Sequence, residues 1–284
     1  MLRRCLLLLL LLTLAGCSTR FFYNRLDFLV PWHLRDYVSL EREQRALLDR
    51  ELAGFLDWHR QQELPRYHQL LAQARERLDD GFTQEDAAFL TGEAQRALDR
   101  LQWRSLEWML PLGQSLTDEQ ILEFIASLRE QQSEYQEKYL ERDEQQYRDD
   151  ACERLDDNVR RFLGRLEQAQ KERLHRACGE LIRSDHLWLA SRAAWIEELE
   201  GLLLQREPGW QQRLRDSLAS RDERLPEGYR EAWTHNLGVL QLAVVEVIAR
   251  RSERQDQHLA RELGRLQADL VALSDALPAD LSVT

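Results

Sequence analysis

Apolar residues recur three or four positions apart along most of the chain, the spacing that places them on one face of an α-helix. In the first half, these stripes predict helices that begin near Ser39, Pro65, Thr83 and Thr117. Ser and Thr are favoured immediately before a helix, and a proline is tolerated in its first turn. Pro65 is also expected to end or kink the helix that precedes it.

Two longer helices are predicted in the second half. Apolar rows with a sevenfold repeat, which include Trp188 and Trp195, predict one long helix that ends before Pro208. The last helix is predicted to run from near Glu227 until Pro278. Residues 279–284 should then fray.

The last helix carries a seam of leucines that step by four and three residues: Leu259, Leu263, Leu266, Leu270, Leu273 and Leu277. The seam is either part of the core of this chain or the interface of a homodimeric coiled coil. Just before it, the branched residues from Val244 to Ile248 form the most apolar stretch, and we expect them at the centre of the core.

The composition agrees with these patterns. Leu, Arg, Glu, Gln and Ala dominate, whereas isoleucine occurs five times and valine nine times, so few β-branched residues are present to form strands. We therefore predict an all-α fold of about six or seven helices, two of them long. Residues 39–278 should form a single helical domain.

Residues 129–150 are very polar, and Tyr135, Tyr139 and Leu140 provide only a thin apolar edge. Closely spaced Glu and Arg residues can still support a helix. We predict a polar arm around 129–165 that extends past the main core and a helical hairpin that turns near Gly164.

Two helix starts resemble each other. Leu116-Thr117-Asp118-Glu119-Gln120 follows Gly113, and Leu166-Glu167-Gln168-Ala169-Gln170 follows Gly164. Both are similar to the Leu-Thr-x-x-Gln repeat of small periplasmic stress chaperones, which fold as long helical hairpins, although the second copy lacks the Thr. The alternative is that both are ordinary capped helix starts.

The hairpin bears on two cysteines, Cys152 and Cys178. On one straight helix, their 26-residue separation would place them about 39 Å apart, too far for a disulfide. A turn at Gly164 instead places them nearly level on antiparallel helices. We therefore predict a Cys152–Cys178 disulfide, provided that the compartment is oxidising.

The N-terminus has the pattern of an export signal. Arg3 and Arg4 precede a short leucine-rich run, as in a secretory signal, and the run is too short to span a bilayer. Leu14-Ala15-Gly16-Cys17 resembles the lipobox of bacterial lipoproteins. The resemblance implies that residues 1–16 are removed and that Cys17 carries a diacylglycerol and an acyl chain such as palmitate. Ser18 implies sorting to the outer membrane, facing the periplasm.

The segment 17–38 is rich in aromatic residues, including Phe21, Phe22, Tyr23, Phe28 and Trp32. It is interpreted as a strap that packs on the helical body, because charged residues interrupt any continuous apolar surface. The alternative is that the aromatic side chains lie at the membrane interface.

Three short motifs suggest a family. They are Tyr23-Asn24-Arg25-Leu26-Asp27, Trp58-His59-Arg60 and Leu64-Pro65-Arg66-Tyr67. Together they resemble an uncharacterised family of proteobacterial lipoproteins with a domain of unknown function. The resemblance implies a helical lipoprotein and supplies no catalytic residue or substrate.

Charge limits the partners. The net charge is −11, and removal of residues 1–16 takes away two arginines and no acid, which leaves −13. Such a chain has no basic stripe for nucleic acid and would be repelled by anionic lipids. The membrane contact is therefore expected through the Cys17 lipid, and a protein partner is expected in addition.

Candidate catalytic or metal chemistry is sparse. His59 and Glu63, with His68 beyond Pro65, could approach a metal, but a hydrogen-bonded group is the simpler interpretation because His68 lies across the kink. His175 with Cys152 and Cys178 is a second candidate, which the predicted disulfide would remove. We expect no catalytic, cofactor or metal site.

The function favoured by these features is a non-enzymatic binding or chaperone-like role at the envelope. Two alternatives remain: an envelope hydrolase whose site is scattered along the sequence, and a structural subunit of an envelope complex.

Overall fold

The computed structural model describes residues 17–275, with side chains from Arg20 onward, and the regular structure of this part is helical. The predicted all-α class is confirmed. Eleven helical segments are present among these residues when the continuous run 42–79 is counted once, so the predicted six or seven is wrong. The predicted signal peptide 1–16, the Cys17 side chain, Leu277 and the tail 279–284 lie outside what is described.

The helices are numbered in chain order. They are α1 (Cys17–Tyr23), α2 (Leu26–Leu34), α3 (Arg42–Trp58), α4 (Leu64–Asp79), α5 (Gln84–Ser115), α6 (Asp118–Leu140), α7 (Glu144–Leu163), α8 (Gln168–Gly179), α9 (Asp185–Gln205), α10 (Trp210–Ala219), α11 (Glu227–Ala249) and α12 (Glu253–Asp275). A single π-helical turn, His59–Glu63, joins α3 to α4.

Two breaks account for part of the difference in helix number. Asp143 caps α7 in a capping box with Gln146, which separates α7 from α6. Ser252 and Gln255 make the same contacts at the start of α12, which separates it from α11. Both breaks follow the pattern of a short polar residue and a glutamine three positions later, which is visible in the sequence.

Of the two effects expected of Pro65, an end or a kink, the end does not occur. The chain stays helical from α3 into α4, and the turn before the proline widens so that the Leu64 N–H donates to the His59 carbonyl, five residues back. A proline cannot donate a backbone hydrogen bond and its ring crowds the preceding turn. The π-turn accommodates both defects without a break.

The polar stretch does not form a projecting arm. Along α6, Gln132 donates to the Leu189 carbonyl and Arg129 pairs with Glu200. Near the end of α6, Tyr139 packs on Trp188, so the polar part of this helix lies against α9. Helix α7 packs on α8 and α12 through Val159 and other apolar residues. The thin apolar edge read from the sequence is sufficient because each helix needs only one narrow contact stripe.

The leucine seam of α12 lies inside this chain. Helix α12 packs along α4. The five described leucines of the seam are buried: Leu259, Leu263, Leu266, Leu270 and Leu273. The seam is therefore core. The stretch Val244–Ile248 is less central than expected, because only Val247 of it is fully buried.

Helix α11 is, by length and composition, apolar enough to cross a membrane, the one such helix among the described residues. It packs on α8 and α5, with Ala232, Ala243 and Val247 buried. Most of its length is only partly covered, and Trp233 and Leu242 are exposed.

Paired glutamines join the N-termini of distant helices. Gln44 at the start of α3 and Gln120 at the start of α6 exchange two amide hydrogen bonds of 2.8 Å. Gln170 of α8 and Gln255 of α12 do the same, at 3.0 and 2.8 Å. Each glutamine also closes the capping box of its own helix. The two Leu-x-x-x-Gln starts noted in the sequence are thus capped helix starts, each bound to a second one.

The α7–α8 hairpin turns at Gly164, as predicted. Gly164 has φ +72°, a conformation that favours glycine, and its N–H donates to the Arg160 carbonyl at 2.7 Å. Across the hairpin, Cys152 and Cys178 lie at disulfide distance with their Cα atoms 5.6 Å apart. This confirms that the turn brings the two cysteines level.

Candidate functional site: the junction of the anchor segment with the helical body

Parts of the three family-like motifs meet in space at the π-turn. We call α1 and α2 the anchor segment, after the lipid anchor that the sequence predicts at Cys17. Tyr23 at the end of α1 lies against His59 of the turn, and Tyr67 of α4 lies on another side of the same imidazole. Tyr23 and His59, 36 positions apart in the sequence, therefore meet in one cluster with Tyr67.

The Tyr23 hydroxyl and His59 Nδ1 form a buried hydrogen bond of 2.8 Å. Burial lowers the pKa of His59 to about 4 and raises that of Tyr23 to about 12. At neutral pH the phenol is protonated and the imidazole is neutral, so the hydroxyl can donate to the ring.

Glu63 is 0% exposed and is held by two arginines. Arg100 of α5 donates two parallel hydrogen bonds of 2.8 Å to its two carboxylate oxygens. Arg66 donates a third of 2.5 Å from α4. The hydrogen bond from Arg100 to Glu63 raises the pKa of Arg100. A buried carboxylate requires such pairing, because an unpaired buried charge is very costly.

The remaining groups close the cluster. Burial, with the nearby Glu63 carboxylate, raises the pKa of Tyr67 well above its ordinary value. Arg60 lies over the Tyr23 ring at 5.4 Å and reaches Asn24 at 3.4 Å. The cluster links anchor segment, π-turn and α5 through the buried Tyr23–His59 hydrogen bond and the buried Glu63 carboxylate, an arrangement suited to holding these elements in one orientation.

This geometry bears on whether His59 and Glu63 could bind a metal. His59 and Glu63 are occupied by Tyr23, Arg66 and Arg100. Among the described residues, no three His, Cys, Asp or Glu side chains come together as a metal site. Near the hairpin, His175 Nδ1 lies 3.6 Å from Cys152 Sγ, but that sulfur is paired with Cys178.

Comparison with known proteins places the chain in a family. Residues 36–230 match the model described as "Family of unknown function (DUF6279)". The chain belongs to the DUF6279 family. The matched range contains the His59 and Tyr67 motifs, whereas the Tyr23 motif precedes it. No curated protein and no solved structure matches the chain.

The anchor segment of this DUF6279 chain has two different sides. Tyr23 and Leu26 are buried against α4 and α12, and Arg20 pairs with the buried Asp269 of α12 at 2.5 Å. The opposite side carries aromatic residues that are 38–59% exposed: Phe21, Phe22, Phe28 and Trp32. One side thus packs as a strap, and the other faces away from the body.

Sequence reasoning found His59 and Glu63 but missed Arg100, the main partner of Glu63. Arg100 lies 37 residues further along on α5, among many exposed arginines of similar context. Glu63 itself indicates that such a partner exists, because a carboxylate on the buried face of a helix requires a cationic partner.

Proposed function

We propose that this DUF6279 protein is anchored by lipid at Cys17 to the periplasmic face of the outer membrane and has a non-enzymatic binding role there. The aromatic side of the anchor segment then lies at the bilayer surface, and the buried junction holds the helical body close to the membrane. The single observation that carries this proposal is the exposed aromatic side located directly after Cys17.

The exposures are large for aromatic side chains. Phe21 is 56%, Phe28 59% and Trp32 51% exposed, and all three lie within 15 residues of Cys17. Phe28 and Trp32 are four residues apart on α2, so they share one face. Exposed aromatic clusters are typical of membrane-interface contacts, and a nearby lipid would keep this one at the bilayer.

The disulfide supports the proposed compartment, because paired cysteines persist in the periplasm and are rare in the cytosol. The binding role is supported by the surface. The concavities at the α6–α7 and α7–α8 corners are open and lined mainly by charged side chains. Helix α11 adds the exposed apolar residues Trp233 and Leu242.

Anchoring is tested by acylation. Cells that express the protein are fed an alkyne analogue of palmitate, and the label is read on wild-type protein and on Cys17→Ser. We expect label only on the wild type, which should sediment with the outer membrane. Unlabelled wild-type protein in the soluble periplasmic fraction would refute the anchor.

Contact of the aromatic side with the bilayer is tested by fluorescence quenching. The lipidated protein is reconstituted in vesicles that contain brominated phospholipid, and Trp32→Phe is compared with wild type. The difference between the two spectra is the fluorescence of Trp32, and we expect brominated lipid to quench this component. Trp233→Phe is the matched control, because Trp233 is 55% exposed and lies on α11. Equal quenching of the two components would refute the contact.

The binding role is tested in intact cells. A photo-crosslinking residue at Leu242, on α11, should capture a specific product, whereas the same residue at the exposed Arg42 of α3 should not. Absence of any product at Leu242 would count against binding through α11.

A further inference from the structure

The tip of the α7–α8 hairpin carries a basic concavity of about 510 Å³. Gly164 and Leu166 line it, and no acidic side chain does. The other lining residues are four cations: Arg160, Arg161, Arg165 and Lys171. The chain as a whole has a net charge of −11. This concavity, which we call the hairpin site, is therefore opposite in sign to the protein that carries it.

The acidic residues nearby neutralise the site only in part. Asp156 lies 3.3 Å from Arg160, and Glu262 of α12 pairs with Arg265 at 2.6 Å. Within the described part of the chain, Arg165 and Lys171 have no ion-pair partner. Excess positive charge gathered in a concavity raises the local concentration of anions.

Arg161 lines the site and carries an unsatisfied donor. Its guanidinium lies 5.8 Å from the centre of the Phe162 ring, and its Nη2 atom is buried without a hydrogen-bond partner among the described residues. Burial and then the neighbouring Arg265 lower the pKa of Arg161, while Glu262 opposes them. An arginine stays protonated at neutral pH, so a buried charged donor remains that no protein group accepts.

The backbone that carries these cations is fixed. The Gly164 N–H is bonded to the Arg160 carbonyl, and His258 Nε2 of α12 donates to the Arg161 carbonyl at 3.2 Å. The disulfide joins the two arms of the hairpin further along. The arginines therefore project from a rigid turn, which lowers the entropic cost of holding a ligand.

We propose that the hairpin site binds a phosphate group, with Arg161 and Arg165 as its main ligands and Lys171 as an additional cation. Guanidinium groups suit this ligand because their planar N–H donors match the oxygens of a phosphate. The phosphate can belong to free inorganic phosphate or to a lipid headgroup, and the same groups would bind both.

The test is a titration of the mature full-length chain, as Cys17→Ser, with inorganic phosphate at constant ionic strength, followed by NMR or calorimetry. The variant Arg161→Gln/Arg165→Gln removes the two ligands. Arg42→Gln/Arg45→Gln, on the exposed start of α3, is the matched control because it changes the net charge equally. Loss of charge-assisted hydrogen bonds should weaken binding at least about tenfold in the first variant and leave the control unchanged.

The source of the phosphate is distinguished by vesicles. Recruitment of the same unlipidated chain to phosphatidylglycerol vesicles, lost in Arg161→Gln/Arg165→Gln, would identify a lipid headgroup as the ligand. Saturable phosphate binding without recruitment would identify a free phosphate. Two results overturn the proposal: no saturable binding to wild type, or equal weakening in the control variant. Neither result depends on acylation of Cys17.

Discussion

The paired glutamines allow a sharp prediction at Gln120. Gln120→Glu keeps the side-chain length and the oxygen that accepts from the Thr117 N–H, so the capping box of α6 survives. It removes the amide nitrogen, which donates to both Gln44 Oε1 and the Ser39 carbonyl at 2.8 Å. The substitution therefore isolates the contact between helices from the cap.

The magnitude follows from the two acceptors that lose their donor. Gln120 is buried, so water does not readily replace the lost amide, and each buried unsatisfied group costs about 1–3 kcal/mol. Gln44 Oε1 still accepts from the Glu41 N–H, which reduces its share. The new carboxylate oxygen also faces Gln44 Oε1. We expect a loss of about 2–4 kcal/mol in the free energy of unfolding.

The assay is urea unfolding at pH 7, followed by circular dichroism at 222 nm as a general helix signal. Gln146→Glu is the matched control, since Gln146 closes the Asp143 capping box of α7 but is exposed and bonds no second helix. A carboxylate is ordinarily favourable at that position, so the control should change stability by less than about 0.5 kcal/mol.

Acidification gives an internal check. Burial should raise the pKa of the introduced carboxyl, so the folded state favours its protonated form, which regains a donor. The defect should therefore be complete at neutral pH and shrink as the pH falls. A loss at Gln120 no larger than that at Gln146, or a defect that grows on acidification, would refute the paired contact.

Three further predictions concern the core. Glu63→Gln leaves the partly exposed arginines unpaired and should lower the free energy of unfolding by about 2–4 kcal/mol. The control Glu51→Gln, at a surface pair with Arg50, should lower it by less than about 1 kcal/mol, and equal losses would contradict the buried pair. His59 has its pKa lowered to about 4, so the stability it contributes is full above about pH 6.5 and is lost as the pH falls towards 4. The difference in unfolding free energy between pH 7 and pH 4.5 should therefore be smaller in His59→Gln, and an unchanged difference would argue against burial of the neutral ring. Leu266→Ala, at a position 3% exposed, should cost about 2–5 kcal/mol independently of protein concentration, whereas a concentration-dependent loss would indicate an oligomer interface.

At the anchor junction, the sequence predicted the residues involved but not their contacts. The sequence identified Tyr23, His59 and Tyr67 as members of motifs, and it suggested that His59 and Glu63 lie close enough to approach one metal. It did not show that these motifs meet, because that depends on the direction in which α1 returns to the π-turn. Nor did it identify Arg100, since any of several arginines could have been the partner of a buried carboxylate.

Local interactions account for the features that the residue pattern alone could predict. Helical periodicity, the caps at Thr83 and Thr117, and the turn at Gly164 involve residues within about four positions of one another, so spacing alone predicts them. The approach of Cys152 to Cys178 also follows, because a turn at one glycine places residues at similar distances from it nearly level on the two antiparallel arms.

Tertiary structure decided which apolar stripes are covered and which polar groups are paired. The valine-rich part of α11 is more apolar than the leucine seam of α12, yet the seam is the better buried, because α12 lies along α4. The glutamine pairs join residues 76 and 85 positions apart. Burial and pairing at such distances depend on which helices pack together, and the periodicity of each helix is the same whichever neighbour it meets.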